Sequence, residues 1–140
     1  MSVYKITVAQ YGSDRLHGAW HYAILCYTLS DPHEPERALC LQLVGSEGVR
    51  NYEIGEVSRV VARHSKCFQG EIVVGHIAST SSAVQHFKSC AKLVQIQNGT
   101  REWNSQNWVA EVLTVANTLG VQVNAYTHKT LFEAMKSSFK

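Results

Sequence analysis

Two residues combine reactive chemistry with a telling place in the pattern, His21 and Ser105. His21 begins the run His21-Tyr22-Ala23-Ile24-Leu25, directly after the glycine-containing segment Leu16-His17-Gly18-Ala19. An imidazole at a strand end beside a turn can face a cleft while its strand stays anchored in the core. A histidine packed at a sheet edge, with its nitrogens satisfied, has the same signature. Ser105 lies in Trp103-Asn104-Ser105-Gln106-Asn107-Trp108, which opens an amphipathic helix. Helical spacing places it on the face of Trp108, Val109 and Val112, toward the sheet. In a first helical turn it feels unpaired backbone N–H groups and the positive end of the helix field. Those conditions lower a thiol pKa and stabilise an oxyanion. Serine and asparagine are also the usual N-cap residues, so a simple cap at Asn104 or Ser105 is the plainer reading.

The elements that must position these residues follow from periodicity. Val3 to Ala9 alternates as a first strand, and Trp20 to Thr28 is a second, dense in aromatic and β-favouring residues. The segment from Ser30 to Glu36 holds both prolines of the chain and reads as a turn. Ala38 to Val44, closed by Gly45, is a third strand, and the second and third predict an antiparallel hairpin. Asn51 to Val57 and Glu71 to Ile77 are further strands. Thr80-Ser81-Ser82 offers hydroxyls to cap a helix over Ala83 to Leu93. After a turn at Asn98-Gly99, a second helix spans Asn104 to Leu119, with Trp108, Val109, Val112, Ala116 and Leu119 on one face. Gly120 stands where a C-terminal glycine belongs. Val121 to Ala125 reads as a short strand and Thr130 to Ser138 as a last helix. The expected architecture is one α+β domain over residues 1–140, an antiparallel sheet packed against two or three helices.

Composition narrows the function classes. With 140 residues, 45% of them hydrophobic, the chain is long enough to bury a core and too apolar to be disordered. The net charge is only +2. The nearest approach to a basic patch, Arg59, Arg63, His64 and Lys66, reads as solvated surface, so no nucleic-acid partner is expected. No apolar stretch approaches the roughly 18 residues of a membrane helix, and the alternating N-terminus is unlike a secretory signal. Cys26, Cys40, Cys67 and Cys90 lack paired spacing and read as reduced, mostly buried thiols of a cytoplasmic protein. No histidine pair has metal-motif spacing, and no phosphate-binding glycine motif occurs, so neither metal nor cofactor is expected. Trp108 reads as core, whereas Trp103 is placed to wall an apolar acyl or peptide groove.

Taken in order, the motifs resemble a known family. A strand beginning His21-Tyr22-Ala23-Ile24-Leu25, followed far downstream by a helix opening Asn104-Ser105-Gln106-Asn107-Trp108-Val109, looks like a circularly permuted papain-like fold. The NlpC-type superfamily includes lecithin:retinol acyltransferase relatives and deSUMOylating isopeptidases of this order, in which the helix begins Asn-Cys-x-x-Phe or Asn-Cys-x-x-Trp. The similarity is closer to small fungal proteins with a His-Trp-Ala-Leu strand, a strand ending Gln-Val-x-Gly, and a Cys-Gln-x-Trp-Val helix. The corresponding segments here are Leu41-Gln42-Leu43-Val44-Gly45 and Ser105-Gln106-Asn107-Trp108-Val109. The resemblance runs from about Trp20 to Leu119.

The resemblance implies that His21 is the general base, that Ser105 occupies the nucleophile position, and that Gln42 orients the imidazole. Strand geometry allows the last of these. With Ala23 opposite Gln42, His21 and Gln42 become diagonal neighbours on one face, roughly 7–8 Å apart at the backbone; a slip of one residue would separate them. His17 is the reserve base, and His33 reads as an exposed loop residue. Trp103, Trp20 and Gln106 are the substrate-contacting candidates. The implied chemistry is attack on an amide, ester or thioester carbonyl, with a peptide, isopeptide or acyl substrate. The departure is the serine. A thiol is partly ionised at neutral pH and an imidazole completes its ionisation, whereas a hydroxyl has no comparable ionised population. Ser105 is therefore an engineered replacement, the mark of a natural pseudoenzyme that only binds, or the nucleophile of a serine hydrolase on a papain-like scaffold.

Overall fold

The computed structural model describes residues 3–12, 21–29, 37–44, 52–62, 65, 67–97 and 103–137, with the side chains of residues 28, 29 and 59 excepted. Five strands, β1 (Val3–Tyr11), β2 (His21–Leu29), β3 (Arg37–Val44), β4 (Glu53–Val60) and β5 (Phe68–Ala78), are followed by three helices, α1 (Ser81–Lys92), α2 (Ser105–Thr118) and α3 (His128–Lys136). The strands form one antiparallel sheet in the order β4-β3-β2-β1-β5. The protein is thus α+β, as its periodicity predicts. Among the described residues, no helix is long and apolar enough to cross a membrane.

β1 and β2 lie at the centre of the sheet and are buried on both faces, which is why β2 reads as a nearly continuous apolar run. Its even-numbered side chains Tyr22, Ile24 and Cys26 join a large core with Ile6, Val8, Leu41, Phe87, Trp108 and Leu131. Its odd-numbered Ala23, Leu25 and Tyr27 face away from the helices, into a smaller cluster with Ala9, Ala38, Cys40 and Ala62. β2 and β3 pair with Ala23 opposite Gln42, the register that the His21–Gln42 pairing requires.

The helices stop and start for local reasons. Thr80 Oγ1 accepts from the Ala83 N–H to begin α1, and α1 buries Phe87, Cys90 and Ala91. Beyond α2, Gly120 takes a φ of 90°, the Val121 N–H reaches Ala116 O at 2.9 Å and the Gly120 N–H reaches Asn117 O at 3.2 Å. This is the double bond pattern of a Schellman end, which a glycine accommodates without a Cβ penalty. α3 begins at His128, two residues earlier than expected, because Thr127 caps it, its side chain accepting from the Thr130 N–H.

Further expectations change. Leu119 leaves the buried stripe of α2 and is 46% exposed, because the helix ends at Thr118 and the backbone turns away. Val121 to Ala125 is not a strand; only Val123 bridges to Gly75. The segment presses so closely that a Cβ at Gly75 would fall 2.1 Å from Gln122 O. β4 and β5 are longer than their alternation suggests, running on to Val60 and starting at Phe68 respectively. The proline loop, Gly45, the Asn98-Gly99 turn, His17, Trp20, His33, Arg63, His64 and Lys66 lie outside the described residues.

Candidate functional site

The helix start settles which residue is the cap. Asn104 Oδ1 accepts from the Gln106 N–H at 2.9 Å, and Asn107 Oδ1 accepts from the Asn104 N–H at 3.1 Å. Capping by Asn104 leaves the Ser105 hydroxyl for another task. Ser105 is 8% exposed and faces the sheet, and its Oγ accepts from the Tyr22 N–H at 3.1 Å. Tyr22 lies one residue before the first β2–β3 partners, Ala23 and Gln42. The hydroxyl therefore seats on the backbone at the open end of β2, next to His21.

The imidazole of His21 is held from the neighbouring strand. Its Nε2 lies 2.8 Å from Gln42 Oε1, the diagonal contact that the register allows. A carboxamide oxygen accepts, so Nε2 carries the proton and Nδ1 keeps its lone pair. Burial lowers the His21 pKa below its ordinary value, and the Gln42 hydrogen bond opposes that shift. The result is a neutral imidazole of fixed tautomer at neutral pH, the state a general base requires. The Tyr11 ring stands 6.3 Å from it, centroid to centroid.

The residues around His21 are neutral as well. Burial, with smaller contributions from Cys40 and Glu71, pushes the Tyr11 phenol up to about 12. Burial pushes the Cys40 thiol up to about 11. Tyr11, His21, Cys40 and Gln42 line a cavity of about 200 Å³ together with Val57, Val60 and Ala62. Beyond it on the same face, Glu71 accepts from Thr7 Oγ1 at 2.7 Å and from the Tyr27 hydroxyl at 2.7 and 2.9 Å.

His21 and Ser105 are brought to the same strand end, but no hydrogen bond joins them. Strand alternation turns the odd-numbered side chains of β2 away from the helices, whereas α2 delivers Ser105 to the helix side. Ser105 reaches β2 at the Tyr22 N–H, one residue after His21. His21 and Gln42 thus form a direct pair, and Ser105 is a neighbour through the backbone.

The substrate-contacting candidates divide differently. Trp103 is 6% exposed, donates from Nε1 to Glu111 Oε2 at 2.6 Å and packs edge-on against Tyr52. It walls a groove of about 630 Å³ with Leu93, Ala110, Tyr126 and His128, away from His21. Gln106 is 4% exposed, and its Oε1 lies 2.8 Å from His128 Nε2, tying α2 to the start of α3. Its side chain serves helix packing, because the second position after the cap turns toward α3. Trp20 lies outside the described residues. Sequence reasoning missed Tyr11, which pairs directly with His21 across β1 and β2. The signal was present: Thr7, Ala9 and Tyr11 share one face by alternation, once the strand is extended two residues.

Among the described residues, no group of three or more histidine, cysteine, aspartate or glutamate side chains is placed to hold a metal ion. All four cysteines are free thiols, with Cys67 exposed and Cys26, Cys40 and Cys90 buried. Compared with protein-family models, curated proteins and solved structures, the chain matches none of them.

Proposed function

We propose that this chain is a circularly permuted papain-like scaffold of the NlpC type, built for nucleophilic attack on an amide, ester or thioester carbonyl. In this reading it is a cysteine-type hydrolase or acyltransferase architecture in which Ser105 occupies the nucleophile position. The observation that carries the proposal is the His21 Nε2–Gln42 Oε1 contact of 2.8 Å beside a Ser105 Oγ seated on the Tyr22 N–H. The carboxamide fixes the tautomer that leaves Nδ1 as the base. Donation from the Tyr22 N–H and the helix N-terminus both favour negative charge on the residue 105 heteroatom. The Ser105 N–H, in the first turn, has no acceptor within its helix and is the natural oxyanion donor. Four free thiols fit a reducing, cytoplasmic setting.

Serine tempers the activity expected of such a site. A hydroxyl needs the base aligned at the moment of attack, and Ser105 Oγ is engaged with Tyr22 rather than His21. That engagement favours a second reading, a pseudoenzyme that retains the site to bind a peptide or acyl ligand without turning it over.

Ser105→Cys separates the two. Iodoacetamide labelling of the introduced thiol, followed by peptide mass spectrometry from pH 5 to 9, reports its ionisation, with exposed Cys67 as the internal reference. The scaffold reading expects labelling well below about pH 8, lost when His21→Ala is added. Labelling no faster than that of Cys67, with or without His21, would sink it and leave the binding module.

A further inference from the structure

We propose that the cavity of about 200 Å³ behind His21, on the sheet face opposite the helices, receives an uncharged aliphatic or single-ring group on the leaving-group side of the scissile carbonyl. The proposal rests on the scaffold reading above and adds a substrate class to it.

Chemistry assigns the side. In acyl transfer the residue 105 heteroatom forms a bond to the carbonyl carbon while its proton moves to His21. The bond from that carbon to the leaving oxygen, nitrogen or sulfur then breaks, and the same proton passes from His21 to the leaving heteroatom. Water attacks the acyl-enzyme next, giving its proton to His21 and its hydroxyl to the acyl carbon, and residue 105 recovers a proton from His21. The leaving heteroatom must therefore lie within reach of the imidazole. Whatever it carries extends along the ring into the space the ring borders.

That space has a defined chemistry. Val57, Val60, Val61 and Ala62 supply its apolar wall, and Tyr11, Cys40, Gln42 and Ser65 supply uncharged polar groups. The carboxylate nearest in the sheet, Glu71, accepts from Thr7 and Tyr27 and does not line it. Among the described residues no carboxylate, lysine or arginine lines it, so a cationic or anionic group would meet no counter-charge from them and would enter at a large desolvation cost. Size narrows the class further. An apolar cavity of about 150 Å³ accepts benzene, so this one has room for a branched aliphatic group or one ring. Val57, 46% exposed, stands at the rim.

The test uses Ser105→Cys protein and esters of one short acid with methyl, isobutyl, benzyl or 2-aminoethyl alcohols. The kcat/KM ratio of isobutyl to methyl is expected to exceed about tenfold, as hydrophobic pockets reward added methylenes, with the cationic 2-aminoethyl ester falling to or below methyl. Adding Val57→Phe, at the tolerant rim, or Ala62→Leu, inside, should collapse that ratio; a ratio cancels effects common to both substrates. In parallel, isobutanol titrated into the wild-type chain should shift the methyl NMR signals of Val57, Val60 and Ala62. Turnover with a ratio near one, or a ratio that survives both fillings, overturns the leaving-group pocket while the scaffold reading stands. An introduced thiol that His21 does not prime overturns the scaffold and this proposal with it. If the thiol is primed but no ester turns over, the titration decides: saturable shifts confined to these methyls support the pocket, and their absence overturns it.

Discussion

The two faces of the sheet use alternate residues of the same strands for different ends. Toward the helices, β2 contributes Tyr22, Ile24 and Cys26 to a continuous apolar core in which Trp108, Leu113 and Leu131 are fully buried. Away from the helices, the interleaved positions carry a smaller cluster of mostly small residues, and around it stand Thr7, Tyr11, His21, Gln42 and Glu71. On the first face the Trp108 indole nitrogen meets no hydrogen-bond partner among the described residues. The second ties its polar groups together, His21 to Gln42 and Glu71 to Tyr27 and Thr7. A buried polar group costs little only when it is satisfied, so a face that keeps ionisable side chains must be organised in partners. The larger apolar core lies on the helix side, and the satisfied polar pairs lie on the other.

The largest effect is expected on the helix side. Trp108→Ala removes the biggest fully buried side chain among the described residues and should lower unfolding free energy in urea by about 3–5 kcal/mol. Glu71→Ala probes the other face. It strands the Tyr27 and Thr7 hydroxyls without their acceptor and should cost about 1–2 kcal/mol in the same assay. A loss equal to that of Trp108→Ala would break the division between the faces.

The smallest effect is in pH. Because burial depresses the folded His21 pKa below 6.5, the unfolded chain binds more protons between the two values. Stability should therefore be fully present above 6.5 and fall as pH drops toward the folded value, with a slope of at most about 1.4 kcal/mol per pH unit. Melting temperatures from pH 7 to 5, compared between the wild type and His21→Gln, should show a shallower decline in the variant. An identical slope would mean that His21 titrates alike folded and unfolded.

Much of the fold was legible because its signals are short-range. The apolar run of β2, the inward stripe of Trp108, Val109, Val112 and Ala116, and Gly120 at the helix end depend on neighbours within a few residues. The His21–Gln42 contact came from the family resemblance instead, on the condition of one hairpin register, and the structure supplies that register. Leu119 defeats the same logic, since helical periodicity holds only while the helix lasts and the backbone turns after Thr118.

What the sequence determined by itself was composition, alternation and helical phase, and with them which residues face inward. The tertiary structure decided which inward-facing groups meet. Ser105 points to the sheet by its own helical phase, but only the docking of α2 on the even-numbered face of β2 sets its hydroxyl on the Tyr22 N–H. The same docking carries Trp103 to a groove beside Tyr126 and fastens Gln106 to His128. Periodicity specifies a direction from the local backbone. Which partner waits in that direction depends on how a helix some 80 residues away packs its ridges against the strand, and that is a property of the assembled core.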